Sequence, residues 1–126
     1  MIVLDTSAVI SILANEGSRT RCEAAIGSGG DLLMSAGTYT ELLIVAQNRG
    51  LTKEAIQFVE NLNVIILNVT AETALRISAA YNQWGRGFHP AGLNFGDCFA
   101  YEAAKSRDCP LLYVGDDFSR TDVIAA

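Results

Sequence analysis

The sequence predicts a three-layer α/β/α sandwich built on a central, mainly parallel sheet of four or five strands. Three observations carry this reading. Apolar runs of strand length recur along the chain, successive runs are separated by enough residues for two helices, and no repeat or linker breaks the alternation. Strands joined by helical crossovers pair in parallel, with their helices covering both faces of the sheet. The 126 residues, half of them apolar, hold material for one core and one domain spanning residues 1–126.

Ile2-Val3-Leu4 is the first strand candidate, ended by Asp5, and Thr6 and Ser7 then read as the N-cap of a first helix. Asp31 to Met34 is the second strand. The Gly27-Ser28-Gly29-Gly30 stretch before it lacks the Lys-Ser/Thr ending of a phosphate loop and reads as a turn. Ala36 to Asn48 is helical in composition, and Leu51 to Leu62 carries Ala55, Ile56, Val59 and Leu62 at helical spacing behind Thr52 as N-cap. Val64 to Leu67 is the third strand, followed by a helix over Ala71 to Gln83. Asp97 to Arg107 reads as a helix with Asn94 as its N-cap, stopped by Pro110. Leu111 to Val114 is the fourth strand, and Val123-Ile124 offers a short fifth.

Composition bounds the function. Nine basic against fourteen acidic residues leave a net charge of −5, which argues against a non-specific nucleic-acid coat, because such affinity comes from cations displacing counterions from phosphates. Bound divalent cations would offset much of that charge, so a polyanionic substrate stays open. No apolar run reaches the ~20 residues of a membrane span. The first basic residue is Arg19 and Asp5 interrupts the apolar opening, unlike a secretory signal, so a cytoplasmic location is expected. Cys22, Cys98 and Cys109 are odd in number and never form C-x-x-C, which points to three buried reduced thiols.

The topology also says where chemistry sits. In a parallel sheet, ligands bind beyond the carboxyl ends of the strands, at the point where neighbouring connections leave in opposite directions. Asp5 follows the first strand and Asp116-Asp117 follow the fourth. Glu41 falls one or two turns into the helix after the second strand, and Asp97 sits in the first turn of the helix leading to the fourth. If the first and fourth strands are neighbours, these acids share one crevice. Crowded carboxylates repel, and the cost is relieved either by raised pKa values or by a cation, the simpler remedy. Mg²⁺ or Mn²⁺ suits oxygen ligands and keeps several waters, and such an ion supports phosphodiester hydrolysis. Individually, Asp5 and Asp116-Asp117 read equally as turn residues and Asp97 as a helix-dipole acid. Glu41 has no capping role, and the coincidence on one edge favours a site.

The segments M-I-V-L-D-T-S-A (Met1 to Ala8), H-P-A-G-L-N-F-G-D-C-F-A-Y (His89 to Tyr101) and P-L-L-Y-V-G-D-D-F-S-R-T-D-V (Pro110 to Val123) together resemble PIN-domain ribonucleases of the VapC toxin family. The resemblance spans the chain. It implies a toxin of a type II toxin–antitoxin pair that cuts RNA with Mg²⁺ or Mn²⁺ and is silenced by a VapB-like antitoxin. Residue by residue it implies catalytic roles for Asp5, Glu41, Asp97 and Asp117. Asp5 and Asp97 would be direct metal ligands, and Asp116, beside the G-x-D-F acid Asp117, would reach the metal through water. It also implies a homodimer, and a hydroxyl of Thr6 or Ser7 orienting an acid or a water.

Other residues carry weaker signals. Asn94, three residues before Asp97, would cap the helix and fix the carboxylate's direction. Arg86 and Arg120 flank the acidic segments and are candidates for RNA phosphate contacts. Trp84, Phe88 and Phe95 offer stacking faces, with core packing expected for at least two of them. His89 has no histidine partner and no serine elbow, so a solvated or locally bonded ring is expected. Two other functions compete: an aspartyl phosphatase of the haloacid-dehalogenase type, which wants a second Asp where Ser7 stands, and a non-catalytic RNA- or partner-binding module, which would be expected to have lost some of the acids. A receiver domain would need an acid pair after strand one and a lysine beyond Lys105, and the chain has neither.

Overall fold

A computed structural model describes residues 1–126. The elements run β1 (Ile2–Leu4), α1 (Thr6–Leu13), α2 (Arg19–Gly27), β2 (Leu32–Ser35), α3 (Ala36–Asn48), α4 (Thr52–Asn61), β3 (Ile65–Leu67), α5 (Ala71–Trp84), α6 (Phe95–Arg107) and β4 (Leu111–Leu112). The strands form one four-stranded sheet in the order β3-β2-β1-β4, and every pairing is parallel. Val3 is in register with Leu33 on one side and Leu111 on the other. The chain steps from β1 outward through β2 to β3, then returns across the sheet to β4. The reversal therefore falls between β1 and β4, which are neighbours.

Alternation along the strands feeds two cores. Ile2, Leu4, Leu32 and Met34 face one side, packing with Val9 of α1, Cys22 of α2, Leu42 of α3 and Ala55 of α4. Val3, Leu33 and Leu111 face the other, against Ile77 of α5, Cys98 of α6 and Phe118 beyond β4. β1, β2 and β4 thus bury both faces, as strands between two helical layers do, while the edge strand β3 is only partly covered. All three cysteines are buried and free. No helix is long and apolar enough to cross a membrane.

Several boundaries differ from expectation. The N-cap of α1 is Asp5, not Thr6 or Ser7: Asp5 is extended and its carboxylate accepts from the Ser7 amide, while Thr6 is already helical and cannot cap. Thr52 is likewise the first residue of α4, and Leu51 ahead of it supplies no side-chain cap. Helix α6 begins at Phe95 and ends before Asp108, which adopts a left-handed conformation with φ of 52°, so the stop precedes Pro110. Asn94 caps it as expected. The fifth strand reduces to a single parallel bridge between Leu111 and Ala125.

Candidate active site

Asp5, Glu41, Asp97 and Asp117 line one cleft at the carboxyl edge of the sheet, together with Thr6, Ser7 and Asn94. Asp5 arrives there because β1 ends at Leu4. Its Oδ2 accepts from the Ser7 amide at 3.1 Å and from the Ser7 hydroxyl at 2.6 Å. The same Ser7 oxygen accepts from the Val114 amide at 2.9 Å. Ser7 therefore locks the first acid to the segment that leaves β4 and carries Asp117. The other carboxylate oxygen of Asp5, Oδ1, is buried without a hydrogen-bond partner.

Glu41 projects from the second turn of α3. Its Oε1 accepts from the Thr6 hydroxyl at 2.7 Å, and its Oε2 lies over Gly96 so closely that a Cβ there would overlap it. Asp97 is held by a reciprocal capping box: Asn94 Oδ1 accepts from the Asp97 amide at 2.8 Å and Asp97 Oδ2 from the Asn94 amide at 3.0 Å. Asp117 lies on the exposed turn after Gly115, whose φ of 97° only glycine adopts without strain. Asp116 is exposed on the same turn and is not among the residues lining the cleft.

Asp5 and Asp97 are only 5% and 6% exposed. Burial pushes Asp5 up to about 6, offset in part by the Ser7 bonds, with the charge of Glu41 adding to the rise. Burial likewise pushes Asp97 up to about 7, and Asp5, Asp117 and Glu41 raise it further. The four acids feel one another, and no basic side chain stands among them. The one cation on the cleft wall is Arg49, at the end of α3, paired across its rim with Glu16 at 3.2 Å.

The donor set is all oxygen, and Asp5 Oδ1 is an acceptor with nothing to accept from, so the residues fit a hard divalent ion. No group of three or more His, Cys, Asp or Glu side chains is arranged to hold a metal ion by itself.

Around the cleft, the Tyr101 hydroxyl accepts from Trp84 Nε1 at 2.8 Å and donates to Asp122 Oδ1 at 2.7 Å. It thereby ties the segment before α6 to the one after β4. Phe118, fully buried beside Asp117, anchors the second of these. Sequence reasoning passed over Tyr101, Phe118, Glu16 and Arg49. The apolar F of G-x-D-F could have signalled the anchor, whereas no spacing links Glu16 to Arg49.

Arg86 and Arg120 are both exposed and neither lines the acid cleft. Arg86 shares an adjoining depression with Tyr81, Asn94 and Phe95. Of the three aromatics, only Trp84 is substantially covered; Phe88 and Phe95 are 62% and 74% exposed, against the expectation that at least two would be core. Phe88 rides the loop after α5 and Phe95 opens α6, where neither has a layer above it. His89 accepts from the Ala91 amide at 2.9 Å and packs edge-on against Trp84, a local role.

Comparison with known proteins settles the family. The PIN domain family model matches residues 2–124. The chain is 39% identical to Ribonuclease VapC30 of Mycobacterium tuberculosis, covering 97% of this chain and 95% of that one. The chain belongs to the PIN domain family, among its VapC ribonucleases. It is also 37% identical to Ribonuclease VapC of Mycolicibacterium smegmatis, over 98% of both chains. The same PIN fold is seen in the crystal structure of Mycobacterium tuberculosis VapC20, described as a sarcin-ricin loop cleaving toxin, with a TM-score of 0.81 at 16% identity over 100% of this chain and 98% of that one. A toxin–antitoxin complex from Klebsiella pneumoniae gives a TM-score of 0.76 at 16% identity, over 100% of this chain and 97% of the other. For a PIN domain the phosphatase and receiver readings fall away.

Proposed function

We propose that this PIN domain is an endoribonuclease dependent on Mg²⁺ or Mn²⁺ and the toxin of a type II toxin–antitoxin pair, restrained by a VapB-like antitoxin. The observation that carries the reading is the meeting of Asp5, Glu41, Asp97 and Asp117 in one cleft, with an unpartnered oxygen on Asp5. The ribonuclease names of the relatives support RNA as substrate, and the Klebsiella complex supports an antitoxin partner.

Asp5 and Asp97, the two buried acids, would hold the ion. A bound ion would supply charge neutralisation at the phosphate oxygens and a more acidic water. Glu41, aimed by Thr6, would orient the attacking water and accept its proton. Asp117, on the exposed turn, completes the site from the substrate side, and Asp116 stands outside it. Cys22, Cys98 and Cys109, unpaired and buried, suit a reducing cytoplasm. Exposed apolar side chains on the helices, among them Ile44 and Leu75, support a homodimer.

The test is cleavage of RNA by the purified chain with Mn²⁺, with Mg²⁺ and with EDTA. Cutting is expected only with the metals, and Asp5→Asn and Asp97→Asn abolish it; cleavage that survives chelation overturns the reading. A small upstream reading frame encoding a DNA-binding antitoxin is expected beside the gene. Light scattering should give the mass of a dimer, and a monomer's mass removes that element.

A further inference from the structure

Phe95 is the most exposed large hydrophobic side chain of the molecule, at 74%, and it stands at a capped helix start. It is the first residue of α6, between the capping residue Asn94 and the buried acid Asp97. Its ring meets Phe99 edge-on, with centroids 5.0 Å apart and planes at 81°. The Phe99 ring is itself seated over Gly37, where a Cβ would overlap it. Phe95 thus has one aromatic neighbour and leaves most of its surface in solvent, an arrangement that core packing does not explain.

Beside it, the depression formed by Tyr81, Arg86, Asn94 and Phe95 has a volume of about 370 Å³. Asn94 lines both this depression and the acid cleft, so the two adjoin. The Arg86 backbone is fixed by its amide donating to the Leu93 carbonyl at 3.0 Å, while its side chain makes no ion pair. An exposed aromatic ring and a guanidinium without an ion pair therefore adjoin a row of carboxylates suited to a metal ion.

We propose that Phe95 and Arg86 form a nucleotide subsite, where an unpaired base next to the scissile phosphate stacks on the Phe95 ring and Arg86 takes a neighbouring phosphate. This rests on the ribonuclease reading and adds a substrate class to it. Bases within a duplex have both faces occupied by their neighbours, so only single-stranded segments, loops or bulges can use the ring. The unpaired cation and the adjacency to the acid cleft favour RNA over an apolar protein surface as the occupant.

The experiment compares wild type, Phe95→Ala, Phe95→Leu, Phe95→Tyr and Phe95→Trp on fluorescein-labelled oligouridylate and on a blunt RNA duplex. Cleavage is followed with Mn²⁺ and binding by anisotropy in EDTA. Phe95→Ala and Phe95→Leu should raise KM for oligouridylate roughly ten-fold with kcat little changed, whereas Tyr and Trp stay within about three-fold of wild type. Arg86→Ala should lower the salt dependence of binding by about one counterion. The proposal is overturned if Leu serves as well as Trp, if duplex binds as tightly as oligouridylate, or if the Ala variant changes only dimer mass or antitoxin binding. If wild type cuts no RNA, the ribonuclease reading fails on its own. Anisotropy then decides the subsite: binding that depends on an aromatic at 95 upholds it, and binding indifferent to residue 95 removes it.

Discussion

The Thr6 hydroxyl donates to Glu41 Oε1 across 2.7 Å, joining the first residue of α1 to the second turn of α3 over 35 positions of sequence. One residue on, Ser7 does the same for Asp5. The two hydroxyls after β1 thus aim two acids, one at the end of β1 and one on α3, and neither acts as the helix cap that its residue type suggests.

Thr6→Val keeps the shape of the side chain and removes the donor. A hydrogen bond to a charged group contributes about 1.5–3 kcal/mol, so kcat for RNA cleavage should fall at least ten-fold. Thr6→Ser should retain most of the activity. Equal rates for Val and wild type would show that Glu41 needs no such support.

Gly96 is the complementary constraint. Replacing a helical glycine by alanine usually stabilises by about 0.5–1 kcal/mol. Here the added methyl would land on the Glu41 carboxylate, so Gly96→Ala should cost at least ten-fold in kcat. In a Glu41→Ala background the same change should have little further effect, because the group it displaces is gone. Independent, multiplying losses would break the argument.

The buried acids set a pH dependence. Asp5 and Asp97 titrate near 6 and 7 in the folded chain, above their unfolded value of 3.8, so between about pH 4 and 7 the native state binds more protons than the unfolded one. The contribution of these two acids to the stability of the metal-free protein is therefore fully present below about pH 4, is lost progressively, by a few kcal/mol, as pH rises from there to about 7, and changes little above that. Mg²⁺ or Mn²⁺ competes with those protons and should raise Tm at pH 7.5 far more than at pH 5. Thermal melts at the two pH values, with and without metal, check both signs; Asp97→Asn should flatten the slope.

At the cleft rim, Glu16 and Arg49 pair at 3.2 Å with each side chain almost half exposed. Such pairs contribute about 0–1 kcal/mol, little enough for a phosphate to displace Glu16. Glu16→Gln should tighten RNA binding about two- to five-fold at low salt, and Arg49→Ala should weaken it and flatten its salt dependence. Titrations at two ionic strengths read both effects.

The convergence of Asp5, Glu41, Asp97 and Asp117 was legible because parallel strands end on a common edge, so position along the chain predicts position in space. The local caps were less so. D-T-S presents three capping residue types in succession, and only the phase of α1 selects Asp5. The exposure of Phe88 and Phe95 was hidden because an aromatic beside a helical pattern looks the same whether or not a layer covers it. Glu16 and Arg49 lie 33 residues apart, on the turn after α1 and the end of α3, with no periodicity to join them.

Because the acids are drawn from positions 5 to 117, a ribosome must synthesise nearly the whole chain, and β4 must dock beside β1, before the cleft exists. At about 5–20 residues per second, the growing polypeptide spends roughly 6–25 s without its full complement of acids. Fragments released early would lack both the turn that bears Asp117 and the β4 strand that completes the cleft's edge.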